Sequence, residues 1–143
     1  MEKAEGKLVR IGALELHFMV DEIESAGSIV MFELVVPSDA RVPAPHYHRD
    51  VDEVVHALAG TLAFTLDGET RELRPGDTVF VPRGSIHGFE NLHPDTARTL
   101  TVLTPGSIGR RYFEEIGAEV NGPGKPDLGR VKDIMLRHGL VPA

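Results

Sequence analysis

The sequence contains no cysteine. That removes disulfides, iron–sulfur clusters, thiolate zinc sites and a cysteine nucleophile, and it leaves the redox compartment open. Positive charge is also short: 15 lysines and arginines stand against 22 aspartates and glutamates, a net charge of −7 with histidine neutral. An acidic chain without a basic patch argues against nucleic acid and against an anionic membrane surface as partners. No stretch approaches the roughly 18 consecutive apolar residues of a membrane span. The opening, Met1 to Lys7, is polar and lacks the apolar core of a signal peptide, so the expected location is cytoplasmic. Internal repeats and low-complexity segments are missing too.

What is present is 143 residues, 41% apolar and 26% charged, enough for a single domain with a sizeable core. One stretch organises the chain: His46-Tyr47-His48-Arg49-Asp50-Val51-Asp52-Glu53, running on to Gly60. Side chains alternate faces in an extended strand, so His46 and His48 point the same way. Two neutral imidazoles on one face give a two-point grip on a divalent transition metal. Glu53 can add an anionic oxygen from the following strand, and His87 is the candidate for a fourth ligand.

Around this stretch the pattern is one of short strands. Leu8 to Ile11, Leu14 to Val20 and Ile29 to Val36 precede it. Glu53 to Ala59 is apolar apart from Glu53 and His56, and is expected to be buried on both faces. Asp67-Gly68 marks a hairpin between Thr61 to Leu66 and Thr70 to Leu73. Thr78 to Val81, Ser85 to Phe89 and Arg98 to Leu103 complete an expected eight to ten strands, which argues a β-sandwich or barrel. After Pro105 the character changes. A helix capped by Ser107 and ended by Gly117 is expected, then a second helix started by Pro126-Asp127 and ended by Gly139.

Two spaced motifs carry a resemblance. His46, His48, Glu53 and Gly60 match the pattern G-x5-H-x-H-x3-4-E-x6-G, with Ala40 in place of its first glycine. Gly76, Pro82, Gly84, His87 and Asn91 match G-x5-P-x-G-x2-H-x3-N at every position. The chain thus resembles a small single-domain cupin of the quercetin dioxygenase-like kind. The resemblance implies an all-β, double-stranded β-helix (jelly-roll) barrel over about residues 8–104 with a helical extension over 105–143, the whole chain forming one domain. It also implies one divalent transition metal per chain (iron, manganese, nickel, cobalt, copper or zinc) held by His46, His48, Glu53 and His87. The alternative is a metal-free barrel with a histidine-lined pocket.

The remaining histidines read more plainly. His17 belongs on a polar strand face, His56 in the core or an interface, His93 in a turn and His138 near a helix end. Phe64, Phe80 and Phe89 read as core aromatics, Gly84 as a special backbone angle that aims His87, and Asn91 as a tie on the next turn. Function divides three ways. A metal-dependent dioxygenase acting on a small organic molecule would use Glu53 as fixed ligand or as catalytic base. An isomerase, epimerase or decarboxylase would use the same ion without oxygen, and a non-enzymatic module would only bind a small molecule. The expected partners are a small-molecule substrate and a second copy of the chain, since the apolar strands offer more surface than one barrel interior needs. The apolar stripe of Ile108, Tyr112 or Phe113, and Ile116 must bury either over the barrel mouth as a lid or against the outside as cladding.

Overall fold

The computed structural model describes residues 7–143. The polar opening read above lies, apart from Lys7, outside the described residues. In chain order the strands are β1 (Leu8–Ile11), β2 (Leu14–Val20), β3 (Val30–Val36), β4 (His46–His48), β5 (Asp52–Ala59), β6 (Leu62–Leu66), β7 (Glu69–Leu73), β8 (Thr78–Val81), β9 (His87–Glu90) and β10 (Ala97–Thr104). Helices α1 (Arg110–Val120) and α2 (Leu128–Arg137) follow, then a last strand β11 (Leu140–Pro142).

Two antiparallel sheets form the barrel. One has six strands in the order β1-β2-β3-β10-β5-β8, the other five in the order β11-β4-β9-β6-β7. Strand alternation builds the interior. On β10, Ala97, Thr99, Thr101 and Leu103 are buried, while Arg98 and Thr104 are exposed and Leu100 and Val102 half-buried. Phe18, Phe32 and Leu16 from one sheet and Leu62, Phe64 and Leu73 from the other are buried likewise. Full burial of one such phenylalanine contributes about 1.5–3 kcal/mol.

Two expectations about burial fail. The outward side of β5 is not buried within the chain: Leu58 is 43% exposed, and Val54 and His56 are half-buried. Phe80 is not a core aromatic but 55% exposed, because it sits on the outward side of β8 opposite Val54.

The helices also differ in detail. Helix α1 starts at Gly109 rather than Ser107, and Gly109 makes no side-chain cap. The cap comes from far away in sequence: the Glu22 carboxylate accepts the backbone N–H of Arg110 at 2.9 Å and of Arg111 at 3.2 Å. A carboxylate there meets both the unpaired N–H groups and the positive end of the helix dipole. Nor does Gly117 end α1. It lies inside the helix where α1 crosses β1, and a Cβ on it would stand 2.8 Å from the carbonyl oxygen of Arg10. Helix α2 begins as expected at Asp127, whose carboxylate accepts from Gly129 and Arg130 N–H. Strand β11 is a feature the sequence reading missed. It pairs with β4, setting Leu140 opposite His48 and Pro142 opposite His46.

Candidate metal centre

Strand β4 is short but held on both edges, by β9 and by β11. Further backbone bonds brace its ends: Gly84 N–H donates to the His48 carbonyl at 2.8 Å, Arg49 N–H to Gly139 at 2.9 Å, and Ala143 N–H to Pro45 at 3.0 Å. Gly84 makes the first of these from a φ of +88°, a conformation L side chains resist. Extended geometry then does what the i, i+2 spacing predicts. The His46 and His48 rings stack with centroids 5.2 Å apart. His87 stands opposite His46 in the β4–β9 ladder, and its ring meets both others edge-on at 4.7 Å. Each ring offers one nitrogen, and these three nitrogens lie within 4.8 Å of one another.

Hydrogen bonding fixes which nitrogen is free on two of the rings. Nδ1–H of His46 donates to the Ala44 carbonyl at 2.9 Å, and Nδ1–H of His87 to the Ser85 carbonyl at 3.0 Å. Nε2 on each then carries a lone pair. His48 differs: its Nδ1 is buried without a partner in bonding geometry, although the Val51 backbone acts on it electrostatically. Burial keeps all three rings neutral. It lowers the pKa of His46, takes His87 down to about 4, and with the neighbouring His87 and His46 takes His48 down to about 3.

Glu53 lines the same cavity as the three histidines but stands apart from their close group. Burial alone raises its carboxyl to about 8, so in the metal-free state it keeps its proton at neutral pH. The cavity measures about 90 Å³. Its wall is almost wholly apolar, with Phe64 lying nearly parallel to the His87 ring at a centroid distance of 6.2 Å. Ile108, Tyr112 and Phe113 complete that wall. Phe113 packs on Phe32 at 5.3 Å and Phe18 at 5.9 Å. Ile108, Tyr112 and Phe113 of the stripe thus face the cavity, while the Gly117 side of the helix clads β1.

The other histidines all lie elsewhere. His17, His93 and His138 pair with Glu15, Glu72 and Glu115, and His56 bonds the Thr78 hydroxyl at 2.7 Å on the outer face of the sheet. Asn91 ties its turn as read: its amide donates to the Val36 and Asp95 carbonyls and its oxygen accepts from His93 N–H. Sequence reasoning missed three contributors to the cavity wall, Leu140 of β11 and the inward hydroxyl residues Thr99 and Thr101 of β10.

A family model described as a cupin domain matches residues 32–103. The chain belongs to the cupin family. Among curated relatives of this cupin, quercetin 2,3-dioxygenase of Bacillus subtilis (strain 168) is 25% identical over 138 residues, which is 94% of this chain and 40% of that enzyme. The chain thus spans less than half the length of that relative. Solved structures share the fold. A predicted oxalate decarboxylase from Thermotoga maritima has a TM-score of 0.65 at 19% identity, covering 73% of this chain and 96% of that one. A sugar phosphate isomerase from Silicibacter pomeroyi has a TM-score of 0.58 at 23% identity, covering 66% and 69%.

The residues of this cupin fit a divalent transition metal by their own chemistry. Three neutral imidazoles converge, two with Nδ1 tied to a carbonyl, and the Glu53 carboxyl in the same cavity could supply an anionic oxygen.

Proposed function

We propose that this cupin is a metal-dependent dioxygenase acting on a compact organic molecule. The observation that carries the reading is a group of three neutral imidazoles, two buried and His46 half-buried, set into the wall of a mainly apolar cavity. His46, His48, His87 and Glu53 would hold one divalent ion, which when bound supplies a Lewis acid or electron conduit to a substrate oxygen. Dioxygenation rather than another cupin chemistry is supported by the relatedness of nearly the whole chain to the Bacillus quercetin 2,3-dioxygenase. Compactness is supported by the cavity: about 90 Å³ is far below the roughly 300–1,000 Å³ of ordinary ligand pockets.

The chain's own residues have clear tasks in this reading. Phe64, Phe32 and Phe113 hold an apolar substrate and exclude water from the reacting end. Glu53 keeps its proton in the metal-free protein; a bound divalent cation would favour its ionised form, in which it could take a proton from a substrate hydroxyl or enol and return it. As a fixed ligand it would instead stay ionised and hold the ion. The test is elemental analysis of protein purified without added metal, then a screen of small phenols and diketones in an oxygen electrode. Substrate-dependent oxygen uptake that is lost on chelation supports the proposal. Product formed equally well without oxygen would replace it with an isomerase or decarboxylase, and binding without turnover would leave a sensor or storage module.

We also propose that the chain forms a homodimer through the outer face of the six-stranded sheet. An apolar row crosses five strands there: Val20, Met31, Val102, Val54 and Phe80 are successive ladder neighbours. Five strands of about seven residues make a face roughly 20–25 Å on a side. Two copies meeting on it would bury about 1,000 Å², the lower bound for a specific interface.

A further inference from the structure

Strand β10 turns four side chains inward, and two of them are hydroxyls where the pattern calls for apolar residues. Thr99 is 1% exposed and Thr101 4% exposed, and both line the cavity that holds the histidines. The Thr99 hydroxyl has no hydrogen-bond partner. Among the described residues only one other buried side-chain polar atom is in that condition, Nδ1 of His48, and His48 lines the same cavity. The ladder partners of Thr99 are Leu34 and Ala57, neither of which offers a side-chain polar group. A buried donor left unmade weakens the fold, and valine would fill the same space without that loss. No protein group satisfies this hydroxyl, and its position on the cavity wall turns it towards whatever molecule the cavity takes.

Register fixes where along the cavity this hydroxyl stands. Glu53 pairs with Leu103, and Ala57 pairs with Thr99. Four residues of strand separate the two levels, roughly 13 Å along the strand direction. The interior between them on this sheet is lined by Val55 and Thr101.

We infer that Thr99 is a specificity-determining residue that hydrogen-bonds the cavity's ligand, a mostly apolar molecule whose polar group, a hydroxyl or carbonyl, lies at the end away from Glu53. The inference rests on the proposal that the cavity takes a small organic molecule, and the test separates the two.

Phenol and toluene have nearly the same shape and differ in one hydroxyl. Their dissociation constants are measured by NMR titration of the chelator-treated full chain, for the wild type, Thr99→Val and Thr99→Ser. Toluene binding in the wild type tests the cavity, and if neither probe binds, both the cavity reading and this inference fall. With the cavity established, Thr99→Val is expected to lower the preference for phenol over toluene at least fivefold, and Thr99→Ser to restore it. A preference unchanged in Thr99→Val overturns the inference while leaving the cavity reading intact. Melting of the ligand-free protein gives a second reading that needs no ligand. Thr99→Val is expected to melt higher than wild type, because an unmade hydrogen-bonding group has been removed. A lower melting temperature would mean that the hydroxyl is bonded within the fold, and would also overturn the inference.

Discussion

His46, His48 and His87 each present a neutral nitrogen to the same small volume, so losing any one removes a third of the imidazole set. Each alanine substitution is expected to weaken metal binding at least about tenfold, read by calorimetric titration with a single divalent ion such as Co²⁺. Proton linkage makes a second residue-scale prediction for the metal-free protein. His48 and His87 take up a proton at about 3 and about 4 in the fold, against 6.5 ordinarily. Their contribution to stability is complete above pH 6.5 and is lost as the pH falls towards 4. Glu53 works in the opposite sense: raised from 4.5 to about 8, it contributes stability that is complete below pH 4.5 and lost as the pH rises through 8. Below pH 6.5 these histidines, with His46 lowered as well, outweigh the one glutamate, and above it the loss from Glu53 dominates. Urea titrations of chelated protein should therefore show a stability maximum near pH 6.5, falling by at most about 1.4 kcal/mol per pH unit on the alkaline side. Glu53→Gln should abolish that alkaline limb, and a limb that survives would assign it elsewhere. The imidazole group was legible in the sequence because strand alternation forces i and i+2 together. Glu53 was a candidate as an anionic oxygen on the following strand and through motif spacing, and it shares the cavity without joining the close group. Thr99 was invisible, since a threonine in a strand reads as ordinary β-propensity.

Among the elements, α1 is the one whose role the sequence left open. Its Ile108 approach, Tyr112 and Phe113 line the cavity, and its Gly117 face lies on β1, so the helix is placed to serve both purposes. Phe113→Ala is expected to speed extraction of bound metal by EDTA several-fold at unchanged initial occupancy, with a loss of up to about 3 kcal/mol in stability. An unchanged extraction rate would reduce α1 to cladding. Deleting everything after Pro105 is a poorer experiment, because it also strips β11 from β4. Most strand boundaries were readable to within two residues because alternation and turn residues mark them. The cap of α1 was not, since its carboxylate is Glu22, supplied from a loop remote in the chain. Strand β11 was not readable either: three residues ending in proline carry no periodicity, and its partner β4 is far away in sequence.

At the scale of the whole molecule, the two-sheet barrel was legible from the number of strands and their turns, and the exposed outer face of β5 was not. Apolar content alone cannot say whether a strand faces its own core or another surface. Sedimentation at micromolar concentration is expected to give twice the 15.6 kDa chain mass, and Phe80→Glu to give the single mass with the fold intact. A wild-type chain that sediments at 15.6 kDa would end the dimer proposal. The pairing of β4 has a further consequence, for the order of events in folding. Its ladder joins His46 to His87 and His48 to Leu140, so neither neighbour of this strand is close to it along the chain. Contacts of long sequence separation close late, after the loop entropy between them has been spent. The imidazoles are therefore expected to converge only once the barrel has wrapped round, and a metal ion would arrive at a finished cage instead of seeding one. Stopped-flow refolding should run at the same rate with the ion or with EDTA, while unfolding slows with the ion bound. An ion that accelerated refolding would show β4 and β9 meeting early, against the connectivity of the chain.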